Sequence, residues 1–297
     1  MNNNEFIINK QYSLVKKIGQ GSFGDVYLGK DKHTGTIIAV KREHLDKKHI
    51  LKHEYEIYSD IKALESPAKP RLPYIHWFGI YDKYSVMVME YLGNSLEFYF
   101  NYHCHGRFNP KTTIMLGIQM LDQLASLHRC GYIHRDIKPE NFLMGFGNNN
   151  RNVYLIDLGL AKKYKIKAHI KEIIGKNLVG TARYCSINCH KGIESSRRDD
   201  LESLGYLLVY FAKGELPWQG LKSNIKAEKY KLIGQKKEDT SIAELCTGVP
   251  FPITPYLTYV RSLKFKEKPN YYYLRELFTN WFKEQGFVYD YYDWDIL

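Results

Sequence analysis

What this chain is short of narrows it before any motif is found. It has only five cysteines, Cys104, Cys130, Cys185, Cys189 and Cys246, an odd number with no paired CxxC spacing. That argues against a disulfide-stapled secreted scaffold and fits reduced thiols in the cytosol or nucleus. Cys185, Cys189 and His190 come nearest to a metal cluster, but no second ligand pair lies at a matching distance, so structural zinc is not expected. Long apolar runs are also missing. The densest, Leu207 to Ala212, is far shorter than the roughly 20 residues a membrane span needs. The first residues show no secretory signal and no glycine for myristoylation, and the last show no prenylation cysteine. A soluble, monomeric protein of the cytoplasm, with the nucleus also open to it, is the expectation.

What is present is ordinary in bulk and unusual in charge. With 297 residues, 44% hydrophobic and 25% charged, the chain can bury a sizeable core as one bilobal domain or two small ones. The net charge of +11 asks for an anionic partner: nucleotide, acidic or phosphorylated protein, nucleic acid or membrane surface. Composition does not choose among them.

From Tyr12 to Val40 the pattern is alternating and β-branched, broken by glycines and by Lys32-His33-Thr34-Gly35, which predicts two antiparallel hairpins. Within the first lies Gly19-Gln20-Gly21-Ser22-Phe23-Gly24-Asp25-Val26, whose glycines let backbone amides approach phosphate oxygens. A dinucleotide-binding turn has similar spacing but opens a helix, whereas Val26-Tyr27-Leu28 continues as strand. Ile37 to Lys41 is an apolar strand ending in a lysine that needs anionic partners. Either Glu54 or Glu56, on a helix predicted from Leu51 to Leu64, could supply one. Strands follow at Ile75 to Ile80 and Tyr84 to Tyr91. Past Gly93 the period lengthens to that of helices, with a core helix over Thr112 to His128.

The most informative stretch is His134-Arg135-Asp136-Ile137-Lys138-Pro139-Glu140-Asn141. It puts a carboxylate able to orient and deprotonate a hydroxyl (Asp136), a cation for phosphate (Lys138) and an amide oxygen for a hard divalent ion (Asn141) on one loop. A strand over Val153 to Ile156 then leads to Asp157-Leu158-Gly159.

The octapeptide resembles the catalytic loop of eukaryotic protein kinases, and Lys138, two residues after the acid, resembles the serine/threonine branch. The likeness narrows to the casein kinase 1 family on Lys17 to Gly24, on Gly180-Thr181-Ala182-Arg183-Tyr184 with Ser186-Ile187-Asn188 in place of Ala-Pro-Glu, on Ser196 to Gly205, and on Leu216 to Lys222. It covers Tyr12 to Leu297. The resemblance implies an α+β, bilobal protein-kinase fold: a small antiparallel β-sheet lobe with one main helix over 1–92, and a larger, mostly helical lobe over 93–297.

It also implies roles. ATP would lie against Ile18, Gly19, Gln20, Gly21, Ser22, Phe23, Gly24, Val26, Ala39, Lys41, Met89, Glu90 and Leu92, with backbone groups near Glu90 and Leu92 facing the base. Lys41 would be held by Glu54, the choice that family alignment favours. Asn141 and Asp157 would bind Mg2+, the Leu158 departure from Asp-Phe-Gly being mild because that residue only packs. Thr181 would steady Asp136 and Lys138, and Asp200 would receive amides of the catalytic loop, unless it caps its helix instead. The family acts on Ser or Thr a few residues after a phosphorylated or acidic residue. Arg135, Lys162, Lys176, Arg183 and Lys222 are the candidates for holding that anion, while Glu215 places a negative charge near it. Between Leu160 and Gly180 the only hydroxyl is Tyr164, so activity without Ser/Thr phosphorylation there is expected. A catalytically inactive kinase-like scaffold and a basic nucleic-acid-binding protein remain the alternatives. The first is disfavoured by the complete residue set and the second by the absence of any groove-reading or RNA-binding signature.

Overall fold

The computed structural model describes residues 7–21, 24–46, 49–65 and 69–296. Ser22 and Phe23 of the glycine loop lie outside them.

The first half of the architecture is a six-stranded antiparallel sheet. Its strands are β1 (Ile7–Ile8), β2 (Tyr12–Gly21), β3 (Gly24–Asp31), β4 (Ile37–His44), β5 (Ile75–Tyr81) and β6 (Tyr84–Glu90), in the order β1-β2-β3-β4-β6-β5. The β-branched alternation of Ile38, Val40, Val86 and Val88 puts these side chains on one face, where they bury with Ile8 and Tyr12. Register is fixed by Lys41 opposite Met87 and Ala39 opposite Met89.

One helix, α1 (Ile50–Ala63), interrupts the sheet. Its N-cap residue, His49, makes no side-chain cap. Instead the buried Glu43 carboxylate at the end of β4 accepts the first-turn amides of Ile50 and Leu51, at 3.3 and 3.1 Å. A strand thereby fixes the start of the helix, and acid at that end also suits the helix dipole. The buried face of α1, Leu51, Ile57, Tyr58 and Ile61, joins the same continuous core as the helices of the second half.

That second half comprises α2 (Leu96–Phe98), α3 (Pro110–Arg129), β7 (Tyr132–Ile133), β8 (Phe142–Met144), β9 (Val153–Leu155), β10 (Lys162–Lys163), α4 (Ile187–His190), α5 (Arg197–Lys213), α6 (Lys226–Asp239), α7 (Ile242–Leu245), α8 (Ile253–Ser262) and α9 (Tyr271–Glu284). Helix α3 starts with Asn109 accepting the Thr112 amide and with Pro110 in the first turn. Helix α5 is buried nearly all round, which explains its apolar run without a membrane. Among the described residues no helix is long and apolar enough to cross a membrane. Small two-stranded ladders, β7 with β10 and β8 with β9, frame the loop between α3 and α5 that carries the polar cluster.

Candidate active site

The described glycines of the loop close the β2–β3 pairing, with Gly19 opposite Val26 and Gly21 opposite Gly24. The chain continues as strand, as the sequence predicts. The glycines are required for different reasons. A Cβ at Gly24 would stand 2.1 Å from the Arg42 carbonyl oxygen, so this glycine serves sheet packing. A Cβ at Gly19 would meet only the Val26 side chain at an ordinary 3.7 Å, so packing within the protein does not demand it.

Lys41 and Asp157 are 116 positions apart in sequence and 2.9 Å apart in space. Lys41 Nζ also donates to Glu54 Oε2 at 2.6 Å, which settles the choice between the two glutamates. Glu56 is 58% exposed and faces Lys52. Two carboxylates thus share one ammonium, and their environments separate them. Burial pushes Glu54, 1% exposed, up to about 7 despite Lys41. Burial works against Asp157 too, but Lys41, His134 and Lys138 hold it below the usual carboxylate range. For Lys41, burial favours loss of the proton, and the two acids override it and keep the ammonium charged. Asp157 has left-handed backbone, φ 62°, and Leu158 behind it is fully buried, the packing role expected of it.

Asp136 is held from both oxygens. Thr181 Oγ1 donates to Oδ1 at 2.8 Å and Lys138 Nζ to Oδ2 at 2.5 Å. Asn141 Nδ2 donates to the Asp136 carbonyl at 2.8 Å, which leaves its own Oδ1 out of that bond. Gly180 makes the Thr181 contact feasible. Its φ is +84°, and a Cβ there would come within 2.2 Å of the Arg135 carbonyl oxygen. Beneath, Asp200 accepts the backbone amides of His134 (2.7 Å) and Arg135 (2.8 Å) as expected, fixing Arg135 at φ 69°. It does not cap α5; the neighbouring Asp199 does, accepting the Ser196 amide at 2.7 Å. Burial would raise Asp200, yet its bond from His128 and the charges around it keep it low.

Met89 and Ala39 face each other across β4 and β6, and Leu92 is buried just beyond the sheet. The Glu90 amide is taken by the Tyr74 carbonyl at 2.7 Å, while no hydrogen bond among the described residues engages the backbone of Leu92. Hard oxygens from Asn141 and Asp157 on adjacent turns form a donor set that fits magnesium.

Of the five candidate anion residues, three converge. Arg135, Lys162 and Lys176 line a cavity of about 300 Å³. Its wall includes Glu194, buried and paired with Lys162 at 2.9 Å and Lys176 at 3.7 Å. Arg183 lies elsewhere, its carbonyl receiving the Trp218 indole N–H at 2.7 Å, so that the loop carrying Glu215 and Lys222 abuts it.

Sequence reasoning missed four residues. Lys237, on which the sequence alone gives no site role, is 0% exposed and donates to the carbonyls of Ala182 (2.9 Å) and Cys185 (2.5 Å), bracing the segment that bears Thr181. Its place four residues after the buried Ile233 on α6 was the available signal. His128, which sequence places only at the end of a core helix, joins Asp200 (2.8 Å) to the Tyr271 hydroxyl (2.6 Å). Glu194 and Tyr164 are the others. Tyr164 is buried and donates to the His128 carbonyl at 2.7 Å.

A carboxylate held by an ammonium and a hydroxyl, close to a lysine set between two acids, makes an arrangement able to transfer a phosphoryl group. In agreement, a family model described as a protein kinase domain matches residues 12–248.

Proposed function

Because the chain belongs to the protein kinase family, we propose that it is a serine/threonine kinase of the casein kinase 1 type. In this reading it forms one catalytic unit divided near residue 92, acts on acidic or phosphate-primed proteins, and works as a monomer in the cytoplasm or nucleus. The observation that carries the chemistry is the clamp on Asp136. Thr181 occupies one lone pair of Oδ1, Lys138 and a longer contact from Asn141 Nδ2 at 3.5 Å engage Oδ2, and the second lone pair of Oδ1 is left for a substrate hydroxyl. That hydroxyl forms the bond to the γ-phosphorus of ATP, the bond to the β,γ-bridging oxygen breaks, and the proton passes to Asp136. Lys138 can shift toward the transferred group as charge develops on it. Lys41, oriented by Glu54, meets the α- and β-phosphates. Asn141 and Asp157 would hold magnesium, which neutralises phosphate charge when bound.

Activity without phosphorylation of the 160–180 segment is supported by how that segment is anchored. β10 pairs with β7, Arg135 Nε donates to the Leu160 carbonyl at 2.7 Å, Tyr164 is bonded to α3, and Glu194 gives Lys162 and Lys176 a resident carboxylate. Elsewhere a phosphate supplies such a counter-charge. The casein kinase 1 assignment gains support from Ser186-Ile187-Asn188, which leans on α5. Ser186 Oγ donates to Asp199 at 2.6 Å, and the Ile187 amide donates to Glu202 at 3.0 Å.

The test is a degenerate peptide library with labelled ATP. Phosphoserine and phosphothreonine in peptides with upstream acidic or phosphorylated residues are expected. Label on tyrosine, or equal turnover of acidic and neutral peptides at low salt, would overturn the reading.

A further inference from the structure

On the far side of the catalytic loop lies an open cavity of about 620 Å³ that the phosphotransfer machinery does not use. Arg129 at the end of α3, Arg197 at the start of α5 and Lys268 before α9 contribute cations to it. Tyr164, Tyr271 and Tyr272 contribute hydroxyls and rings, and none of the lining residues is acidic. Glu267, next to Lys268 in sequence, has its carboxylate on the Lys264 amide. The first turn of α9 also opens here and carries no acidic residue, so its positive end is uncompensated.

Arg197 sets this cavity apart from a chance basic patch. It is 9% exposed and fixed from several sides: two carbonyls, Lys266 (2.9 Å) and Glu267 (3.1 Å), the Tyr164 hydroxyl (3.4 Å), and the Tyr164 ring 4.8 Å beneath. No carboxylate pairs with it among the described residues, and its Nε is buried without a partner. A guanidinium buried this way keeps a strong demand for an oxyanion. The cavity near Glu194, by contrast, carries its own carboxylate.

The wall is also wired to the catalytic loop. Tyr271 bonds His128, His128 bonds Asp200, and Asp200 holds the amides of His134 and Arg135. We propose that this cavity binds a small anion bearing several phosphate groups, and that occupancy stiffens the catalytic loop through Tyr271, His128 and Asp200. The chemistry is shared by phosphorylated polyols and linear polyphosphates. The site thus offers regulation by a soluble anion at a distance from both ATP and protein substrate.

Inositol hexakisphosphate and inorganic tripolyphosphate, each titrated calorimetrically into the full chain, test this. Hydrogen exchange of residues 132–138 is followed in parallel. The proposal expects one or both to bind. Affinity should fall at least about tenfold in Arg129→Glu/Lys268→Glu, two exposed positions whose replacement leaves the core intact. Lys176→Glu, in the other cavity, should leave that binding in place. Exchange at the His134 and Arg135 amides should slow on binding. Preference for one probe identifies the source. Failure of both to bind, equal affinity in the double variant, loss only in Lys176→Glu, or binding without slower exchange at 132–138 would overturn it. None of these readouts requires kinase activity.

Discussion

Two carboxylate sites lie near each other, with Lys138 acting on both, and they are stabilised by opposite means. Where the sheet meets the helical half, Lys41 serves Glu54 and Asp157 at once. Two acids divide one cation, and the more buried of them, Glu54, is the one pushed up. On the loop, Asp136 is served by two donors of its own, Lys138 and Thr181, on a base fixed by Asp200 and His128. The first site is under-supplied with positive charge, which is what a site meant to receive a metal and a polyphosphate needs. The second is held from both oxygens with accepting capacity to spare, which suits a group that must stay in one place while a proton moves. The lesson is that one cleft separates charge reception from geometry, and that each side should fail in its own way.

The sharpest break in that comparison is expected at Asp136. Asp136→Asn keeps the shape and removes the base, so turnover should fall by roughly 10²–10⁴-fold while the thermal midpoint barely moves. Loss of both together would mean that Asp136 is structural.

Next comes Lys41→Met, which strands two acids. It should cost about 3 kcal/mol in denaturant unfolding at pH 8. The sign of its pH dependence follows from Glu54. A carboxyl whose folded value is raised contributes stability below its unfolded value and loses it as pH rises through the folded value, about 7 in the intact protein. Without Lys41 that value moves higher still, so the variant's deficit should be larger at pH 8 than at pH 6. Glu54→Gln should flatten the dependence between these pH values. A deficit that shrinks with rising pH would contradict the account.

Asp200→Asn probes the base of the second site. Removing charge from an acceptor of two amides and an imidazole should cost about 2 kcal/mol and lower kcat more than the KM for ATP, as steady-state kinetics would show.

Tyr164→Phe is milder. It deletes the buried bond to the His128 carbonyl, worth about 1 kcal/mol, and the longer one from Arg197, and phosphotransfer should survive. An inactive Tyr164→Phe enzyme with an unchanged melting curve would mean that this hydroxyl is a switch after all.

The smallest effect is expected at Glu215→Ser on the exposed loop beside Arg183. A gain of a few-fold in preference for phosphate-primed over unprimed peptide, within the range of surface charge effects, would support a pocket there, and no change would remove Glu215 from it.

Residues whose chemistry is local were legible in the sequence. Asp136, Lys138 and Asn141 sit on one loop at fixed offsets, Asp157 follows an apolar strand and Lys41 an apolar run, so residue type and position speak together, although the strand continues past Lys41 to His44. Alternation placed β5 and β6, and the long period placed α3, to within a few residues, while the stretch from Tyr12 to Val40 was legible as hairpins without separate strand bounds. Lys237, His128 and Glu194 were not legible because their partners are backbone carbonyls or side chains far along the chain, and no short pattern encodes such a meeting. The odd outcome for Gly24, which answers to the Arg42 carbonyl, has the same cause. The convergence of only three of the five anion candidates likewise depends on tertiary packing that spacing does not report.

The most direct test is the initial rate of labelled γ-phosphate transfer from ATP with magnesium to casein, by the purified full chain freed of any phosphate by phosphatase. The account predicts robust transfer by this unphosphorylated protein and near-complete loss in Asp136→Asn. Transfer that is absent from the intact chain, or that persists undiminished in Asp136→Asn, would contradict it.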